Sequence, residues 1–178
     1  NKDTDPYLIP RLQLLDALTE QGKDILHYED EIGPFLQKLF PSVISAASAM
    51  AAAKHESMNQ PTNSSAASQS LLLHRFLGIL LNVIKFNSAY LDADVVCGLI
   101  SHMSQICLFT DNTADDVRSC LQCMDGILCY TYIPKEALRT YMCNLCIVVN
   151  MKEHCNEAWR ITRNLMKTHL GHSALYCL

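Results

Sequence analysis

The sequence predicts an all-α fold, an α-solenoid of HEAT- or armadillo-like helical hairpins. Three observations carry this. Five segments place apolar residues at i, i+3, i+4, i+7, i+10 and i+11, which is one face of an α-helix. Alternate segments recur at intervals of about 40 residues, the period of such repeats. With only 6 Gly and 6 Pro in 178 residues, the chain is also poor in the residues that a turn-rich β fold needs.

The elements follow in chain order. Leu12, Leu14, Leu15 and Leu18 suggest a helix ending near Gly22. Ile32, Phe35, Leu36 and Leu39 suggest a second, short helix limited by Pro34 and Pro41, because proline lacks the amide donor and crowds the preceding turn. Residues 1–40 would then form a divergent first helical pair. Residues 41–70 hold eight Ser and eight Ala. Residues 43–54 have the alanine content for a helix, whereas Asn59 to Ser65 reads as a loop. This Ser/Ala-rich insertion is expected to be partly flexible and dispensable.

Residues 71–178 carry the regular repeats. The five stripes are Leu73–Phe76–Leu77–Leu80–Val83–Ile84, Val96–Leu99–Ile100–Met103–Ile106–Cys107, Val117–Cys120–Leu121–Met124–Ile127–Leu128, Leu138–Tyr141–Met142–Leu145–Val148–Val149 and Cys155–Ala158–Trp159–Thr162–Leu165–Met166. Thr162 alone among these thirty positions is not apolar. Leu73 to Val117 spans 44 residues, Val117 to Cys155 spans 38, and Val96 to Leu138 spans 42.

The links carry start and stop signals. Leu91-Asp92 precedes the second stripe, and Thr113 with Asp116 resembles a capping box before the third. Pro134 suits the first turn of the fourth, and Asn150 with Glu153 is expected to cap the fifth. Gly171 is expected to close that helix in a left-handed turn. Ser173 to Leu178 looks like a further helix cut short. The chain also begins at Asn1 without an initiator Met, so the 178 residues are expected to be one solenoid segment of a longer chain. The apolar tail Ala174–Leu178 lacks the polar cap that end repeats need, which predicts marginal solubility for the segment alone.

Composition excludes several classes of function. Apolar residues make up 49% and charged residues 18% of the chain, with a formal net charge of −4. That is too apolar for a disordered chain and lacks the basic field of a nucleic-acid binder. No run reaches the roughly 18 apolar residues of a membrane helix. The nine cysteines, an odd number, read as reduced cytosolic thiols that pack as small hydrophobes. No nucleophile stands beside a base in a catalytic pattern, and no Gly-rich phosphate loop is present. No enzyme activity and no cofactor are expected.

Cys120-x2-Cys123 and Cys143-x2-Cys146 have the spacing of a four-cysteine zinc site. A zinc-binding adaptor is therefore the alternative reading. Both pairs lie inside apolar helices, and Cys120 already fills a core slot, so helix packing is the simpler use. His169 and His172 border a helix end, where partial positive charge is favourable.

Arg160, Arg163 and Lys167 recur opposite the fifth apolar stripe and, with Lys152, make a basic face. A solvated surface is the ordinary use of such a strip. The functional reading is a docking strip for an acidic partner, since solenoid surfaces serve as binding faces. Trp159, the only Trp, sits in the stripe and is expected in the core. Tyr90, Tyr130 and Tyr132 fall near inter-helix turns.

Several strings resemble the N-terminal helical region of the tuberin family: Leu81 to Asp92 with Lys85-Phe86-Asn87-Ser88, Leu121-Gln122 to Cys129-Tyr130, Asn150 to Cys155, and Arg163 to Ala174 with Thr168-His169-Leu170-Gly171-His172-Ser173-Ala174. The likeness is loose over 5–40 and good over 71–176. The insertion at 41–70 departs from the vertebrate pattern and points to an invertebrate member. The paired cysteines are not part of the shared strings. The resemblance implies a non-catalytic segment of a large α-solenoid. Its partners would be the coiled coil of hamartin and the remainder of the tuberin solenoid, with no nucleic acid and no membrane insertion. The family's complex activates GTP hydrolysis by Rheb and restrains TOR growth signalling through a catalytic domain outside these residues. It implies a cytoplasmic protein recruited to the lysosomal surface with that complex.

Overall fold

The computed structural model describes residues 6–20, 25–56, 65–108 and 113–177. Every regular element among them is helical: α1 (Leu8–Thr19), α2 (Glu29–Glu56), α3 (Ser65–Phe86), α4 (Ala93–Leu108), α5 (Ala114–Tyr130), α6 (Lys135–Val149), α7 (Cys155–Met166) and the short α8 (Gly171–Leu175). One 3-10 turn, Ser88–Tyr90, links α3 to α4. The predicted all-α architecture is the observed one.

The helices form two layers. Odd helices pack on odd, α1 on α3, α3 on α5 and α5 on α7, while α2, α4, α6 and α8 pack likewise in the second layer. The layers are joined where α2 meets α3, α4 meets α5 and α6 meets α7. Neighbours within a layer run parallel, as constant residue offsets show. His74 Nδ1 lies 2.8 Å from Ser119 Oγ, and the Cys123 thiol donates to the Leu77 carbonyl at 3.2 Å, offsets of 45 and 46 residues. In the other layer, Asn144 Nδ2 donates to the Ile100 carbonyl at 3.4 Å, an offset of 44. The spacing of alternate stripes in the sequence is thus the step from one helix to its neighbour in the same layer.

Burial follows the stripes closely in α3 and α4, where all twelve template residues are buried. In α5 and α6 only Leu128 and Val149, each the last of its stripe, are partly exposed. At about 1.5–3 kcal/mol per large side chain, such a stripe outweighs any local propensity. Tyr141 keeps its hydroxyl satisfied at depth by donating to the Met124 carbonyl at 2.8 Å.

The capping signals divide. Thr113 and Asp116 form the expected capping box on α5, and Asp92 Oδ1 accepts the Val95 amide at 2.8 Å at the start of α4. Pro134 is the N-cap of α6, one position before its first turn. Asn150 does not cap α7: its side-chain amide turns back to the Cys146 carbonyl at 2.9 Å, and His154 stands at the N-cap without a side-chain bond.

Other expectations change more substantially. Pro34 and Pro41 do not limit a short helix, because α2 runs through both. Each proline costs about 3 kcal/mol in a helix interior. The continuous buried row Ile32, Leu36, Phe40, Val43 and Ala47 repays more than that. The same row corrects the reading of 41–70 as dispensable, since Val43, Ile44, Ala46 and Ala47 are core. Of the loop expected from Asn59 to Ser65, positions 59–64 lie outside the described residues and Ser65 opens α3. In α1, Leu12 is buried as expected together with Leu8, Leu15 and Leu18 are partly buried against the core, and Leu14 is exposed.

Gly171 is a further correction. It begins α8 rather than closing α7. A Cβ there would collide with the backbone carbonyl of Met166, so glycine is required for close approach and not for a left-handed turn. Gly171→Ala should therefore destabilise the chain by about 1–3 kcal/mol in urea denaturation. Gly78, where a Cβ meets nothing within 4 Å on α3, should gain about 1 kcal/mol on the same change. Equal effects at the two sites would refute the close-approach account.

His102 on α4 packs edge-on against Phe40 of α2, with ring centroids 5.5 Å apart, and its Nδ1 is buried without a hydrogen-bond partner. Burial lowers its pKa below the ordinary histidine value. The unfolded chain then takes the proton first, and stability falls as pH drops below about 6.5. Urea midpoints measured from pH 7.5 to pH 5 should decline, with a smaller decline in His102→Leu. An unaltered pH slope in that variant would remove His102 as the cause.

Candidate interaction surface

The basic residues singled out in the sequence lie on α7 and the turn before it. α7 buries Ala158, Ile161 and Leu165, each 0% exposed. At 3.6 residues per turn, the opposite face carries Asn156, Arg160, Arg163 and Lys167, all exposed, and Lys152 is exposed in the preceding turn. The four predicted cations therefore share one side of the stack.

They are not equivalent. Arg160 Nη2 reaches Asp125 Oδ2 of α5 at 2.6 Å and Glu157 Oε1 at 2.6 Å, and its Nε donates to Glu157 Oε2 at 3.0 Å. This clasp ties α7 to α5. The Arg160 hydrogen bond holds the Glu157 carboxyl below its ordinary pKa, and the two carboxylates raise the already high pKa of Arg160. Lys152, Arg163 and Lys167 make no ion pair among the described residues.

A groove of about 370 Å³ lies beside the clasp, between α3, α5 and α7. Gly126 opens it by letting the helices approach: a Cβ there would stand 3.1 Å from Leu81 Cδ1 and 3.2 Å from Ile84 Cγ2. Lys85 and Tyr130 stand at its rim, and Asp125, Glu157 and Arg160 form one wall. Its two cations are matched by two carboxylates, so the groove has no net charge. Tyr90, Tyr130 and Tyr132 are exposed near the turns, as expected.

Trp159 departs from expectation, with 49% of its surface exposed. Of the fifth template, Ala158 and Leu165 are buried, whereas Cys155, Trp159, Thr162 and Met166 are only partly buried or exposed. The face that the stack covers is rotated from the template: it keeps Ala158 and Leu165 and adds Ile161. Ile161, absent from the template, was the available signal.

The thiol pairs do not converge. Cys120 and Cys123 are 0% exposed, whereas Cys143 and Cys146 lie on the surface of α6. Cys120 Sγ is 3.9 Å from Cys107 Sγ. That contact, with burial, pushes the Cys120 thiol well up. Burial pushes Cys123 up to about 12. Both inner thiols thus sit in apolar surroundings, packed as small hydrophobes. The four-cysteine geometry of the alternative reading is not formed. No group of three or more metal-ligating side chains occurs among the described residues. His169 and His172 are exposed, and His172 stacks edge-on with Tyr176 at 5.3 Å.

Comparison with known proteins places the chain as follows. The family described as "Domain of unknown function (DUF3384)" matches residues 1–178. A solved structure titled "Structure of the TSC2 N-terminus" superposes with a TM-score of 0.83 at 24% identity, over 99% of this chain and 42% of that one. The chain thus spans less than half of that relative. The likeness to the N-terminal helical region of tuberin expected from the sequence holds in the fold.

Arg160→Ala should cost about 1 kcal/mol, the upper range for an exposed ion-pair network, and the loss should shrink in high salt. The Glu157 share is present at neutral pH and lost as pH falls through the carboxylate range, because its folded pKa is the lower one. Thermal melts of Arg160→Ala and Asp125→Asn should shift together; additive shifts in the double variant would contradict a shared clasp.

Proposed function

The chain belongs to the DUF3384 family along its whole length, and on that footing we propose that it is a non-catalytic scaffold segment of the tuberin type. In this reading it helps hold the coiled coil of hamartin in the complex that promotes GTP hydrolysis by Rheb and restrains TOR signalling. The observation that carries the reading is the shared fold with the TSC2 N-terminus over 99% of the chain. Physical chemistry supports it: parallel helices in a layer leave long furrows, and a partner helix can lay its apolar stripe into one. No described helix is long and apolar enough to cross a membrane. Presence at the lysosomal surface would then come through the assembled complex, from the cytoplasm. The remainder of the solenoid is the second expected partner.

The uncommitted cations Lys152, Arg163 and Lys167 are the proposed contact strip. Arg160 belongs to the strip in position, but its charge is held by the clasp. A purified hamartin coiled-coil fragment should co-elute with the chain extended to full solenoid boundaries; absence of any association would sink the reading. Reversing Lys152, Arg163 and Lys167 to Glu should weaken binding roughly tenfold. Each exposed pair contributes about 0.5 kcal/mol, and about 1.4 kcal/mol is a factor of ten. Unchanged affinity would remove the strip from the interface.

A further inference from the structure

Two consecutive turns on one edge of the stack repeat the same unit. Phe86 ends α3 and Tyr130 ends α5. Asn87 and Thr131 follow them. Tyr90 and Tyr132 come next, each just before a buried aliphatic residue, Leu91 or Ile133. Asp92 and Pro134 then stand at the starts of α4 and α6, and each helix carries an acid in its first turn, Asp94 or Glu136. The paired positions lie 44 residues apart as far as Thr131 and 42 beyond it, close to the step between neighbours in a layer. Phe86, Tyr90, Tyr130 and Tyr132 are all about half exposed, so the edge carries two aromatic rungs one helix spacing apart. These turns run along the side of the stack, so further helices of a longer chain would lengthen the row without covering it.

Polar groups at these turns are left without partners. Asn87 Nδ2 and Thr131 Oγ1, at equivalent positions, are buried and make no hydrogen bond, a cost that native structures rarely carry without a reason. The hydroxyls of Tyr90, Tyr130 and Tyr132 make none among the described residues. Toward α4 and α6 the edge is acidic. Burial, then Glu136 and Asp94, push the Cys97 thiol up, so the two carboxylates gather around Cys97. Neither makes an ion pair among the described residues, and with Asp92 they outnumber Lys135, the cation of this turn.

Spacing narrows the occupant. Neighbouring helices lie about 8–10 Å apart. One turn of a polyproline II helix, three residues, is about 9 Å long, whereas two residues of a strand span about 7 Å and drift out of step with the rungs. An α-helix already spends its carbonyls internally and leaves the free donors unanswered. A polyproline II segment has no internal hydrogen bonds. Its carbonyls can accept from the tyrosine hydroxyls and Asn87, and its rings pack on aromatic faces. We propose that the Phe86–Tyr90 and Tyr130–Tyr132 turns together dock a proline-rich segment of a partner protein in the polyproline II form, its basic end against Asp94 and Glu136. This goes beyond the scaffold reading, since a hamartin coiled coil is helical and does not present that repeat.

The chain, extended to full solenoid boundaries, is titrated against a fluorescein-labelled peptide of four Pro-Pro-Ala repeats ending in two arginines. Fluorescence anisotropy should rise saturably, with half-saturation below about 1 mM. A peptide with alanine for every proline should bind at least about tenfold more weakly. A glutamate-ended proline peptide should bind more weakly than the arginine-ended one, a gap that closes in high salt. Tyr90→Ala with Tyr132→Ala should weaken binding at least about tenfold. Tyr90→Phe with Tyr132→Phe keeps the rings and the fold, and should weaken it about threefold, the loss of one hydrogen bond. Asp94→Asn with Glu136→Gln should abolish the preference for arginine over glutamate. No saturable rise, equal binding of the alanine peptide, or unchanged affinity in both tyrosine pairs overturns the proposal. Hydroxyl-radical footprinting of the free chain should find Tyr90 and Tyr132 reactive. Protection there without peptide overturns it as well, in favour of a second copy or another part of the chain lying on the edge. Hamartin co-elution is a separate readout. Hamartin bound with no peptide response overturns the edge and leaves the scaffold standing, whereas a saturable peptide response without hamartin supports the edge and sinks the scaffold reading.

Discussion

No helix in this chain can hide its apolar face alone, and nearly everything else in the structure follows from that constraint. An isolated amphipathic helix of this length is marginal in water. It becomes stable only when a neighbour covers its stripe. Here the cover comes from two directions: the next helix in the same layer, about 45 residues away, and a helix of the opposite layer. Leu77, Leu80, Leu99, Ile100, Leu121 and Met124 are 0% exposed for this reason. A stack of this kind has no closed core.

Polar groups inside the stack act as register marks rather than as chemistry. Tyr141 to the Met124 carbonyl, Asn144 to the Ile100 carbonyl and Cys123 to the Leu77 carbonyl each join two helices at one level. Buried donors must find acceptors, and helix carbonyls retain a second lone pair for the purpose. Thiols suit these positions because they fill a small apolar slot and still donate weakly. The same logic explains why Cys120 and Cys123 turn inward while Cys143 and Cys146 stay outside: i and i+3 share a helix face, and the two helices present opposite kinds of face at those positions.

Function in such a fold is carried by what the packing leaves over. The clasp of Arg160 by Asp125 and Glu157 takes one cation out of the basic strip and gives it a structural role. Arg163 and Lys167 remain uncommitted. Trp159 joins them because α7 turns its Ala158–Ile161–Leu165 side to the stack. The candidate surface is therefore the outer side of α7, where Arg163 and Lys167 are exposed beside a half-exposed Trp159.

The sequence by itself determined the all-α class and, for α3 to α7, the order of the helices and the alternation that sorts them into two layers. These rest on apolar periodicity near 3.6 and on a repeat near 40, both local counts along the chain. The capping box at Thr113 was legible for the same reason, since its two partners are three residues apart. Only the tertiary structure decided which of two overlapping stripes α7 buries, that Arg160 is held by Asp125, that α2 continues through Pro34 and Pro41, and that Gly171 answers a carbonyl rather than a turn. Most of these depend on the surface a neighbour presents, and no local pattern encodes a neighbour 35 or more residues away. At Gly171 the deciding atom is only five residues distant, but it is set by how α7 ends and α8 begins, which residue identities alone do not show.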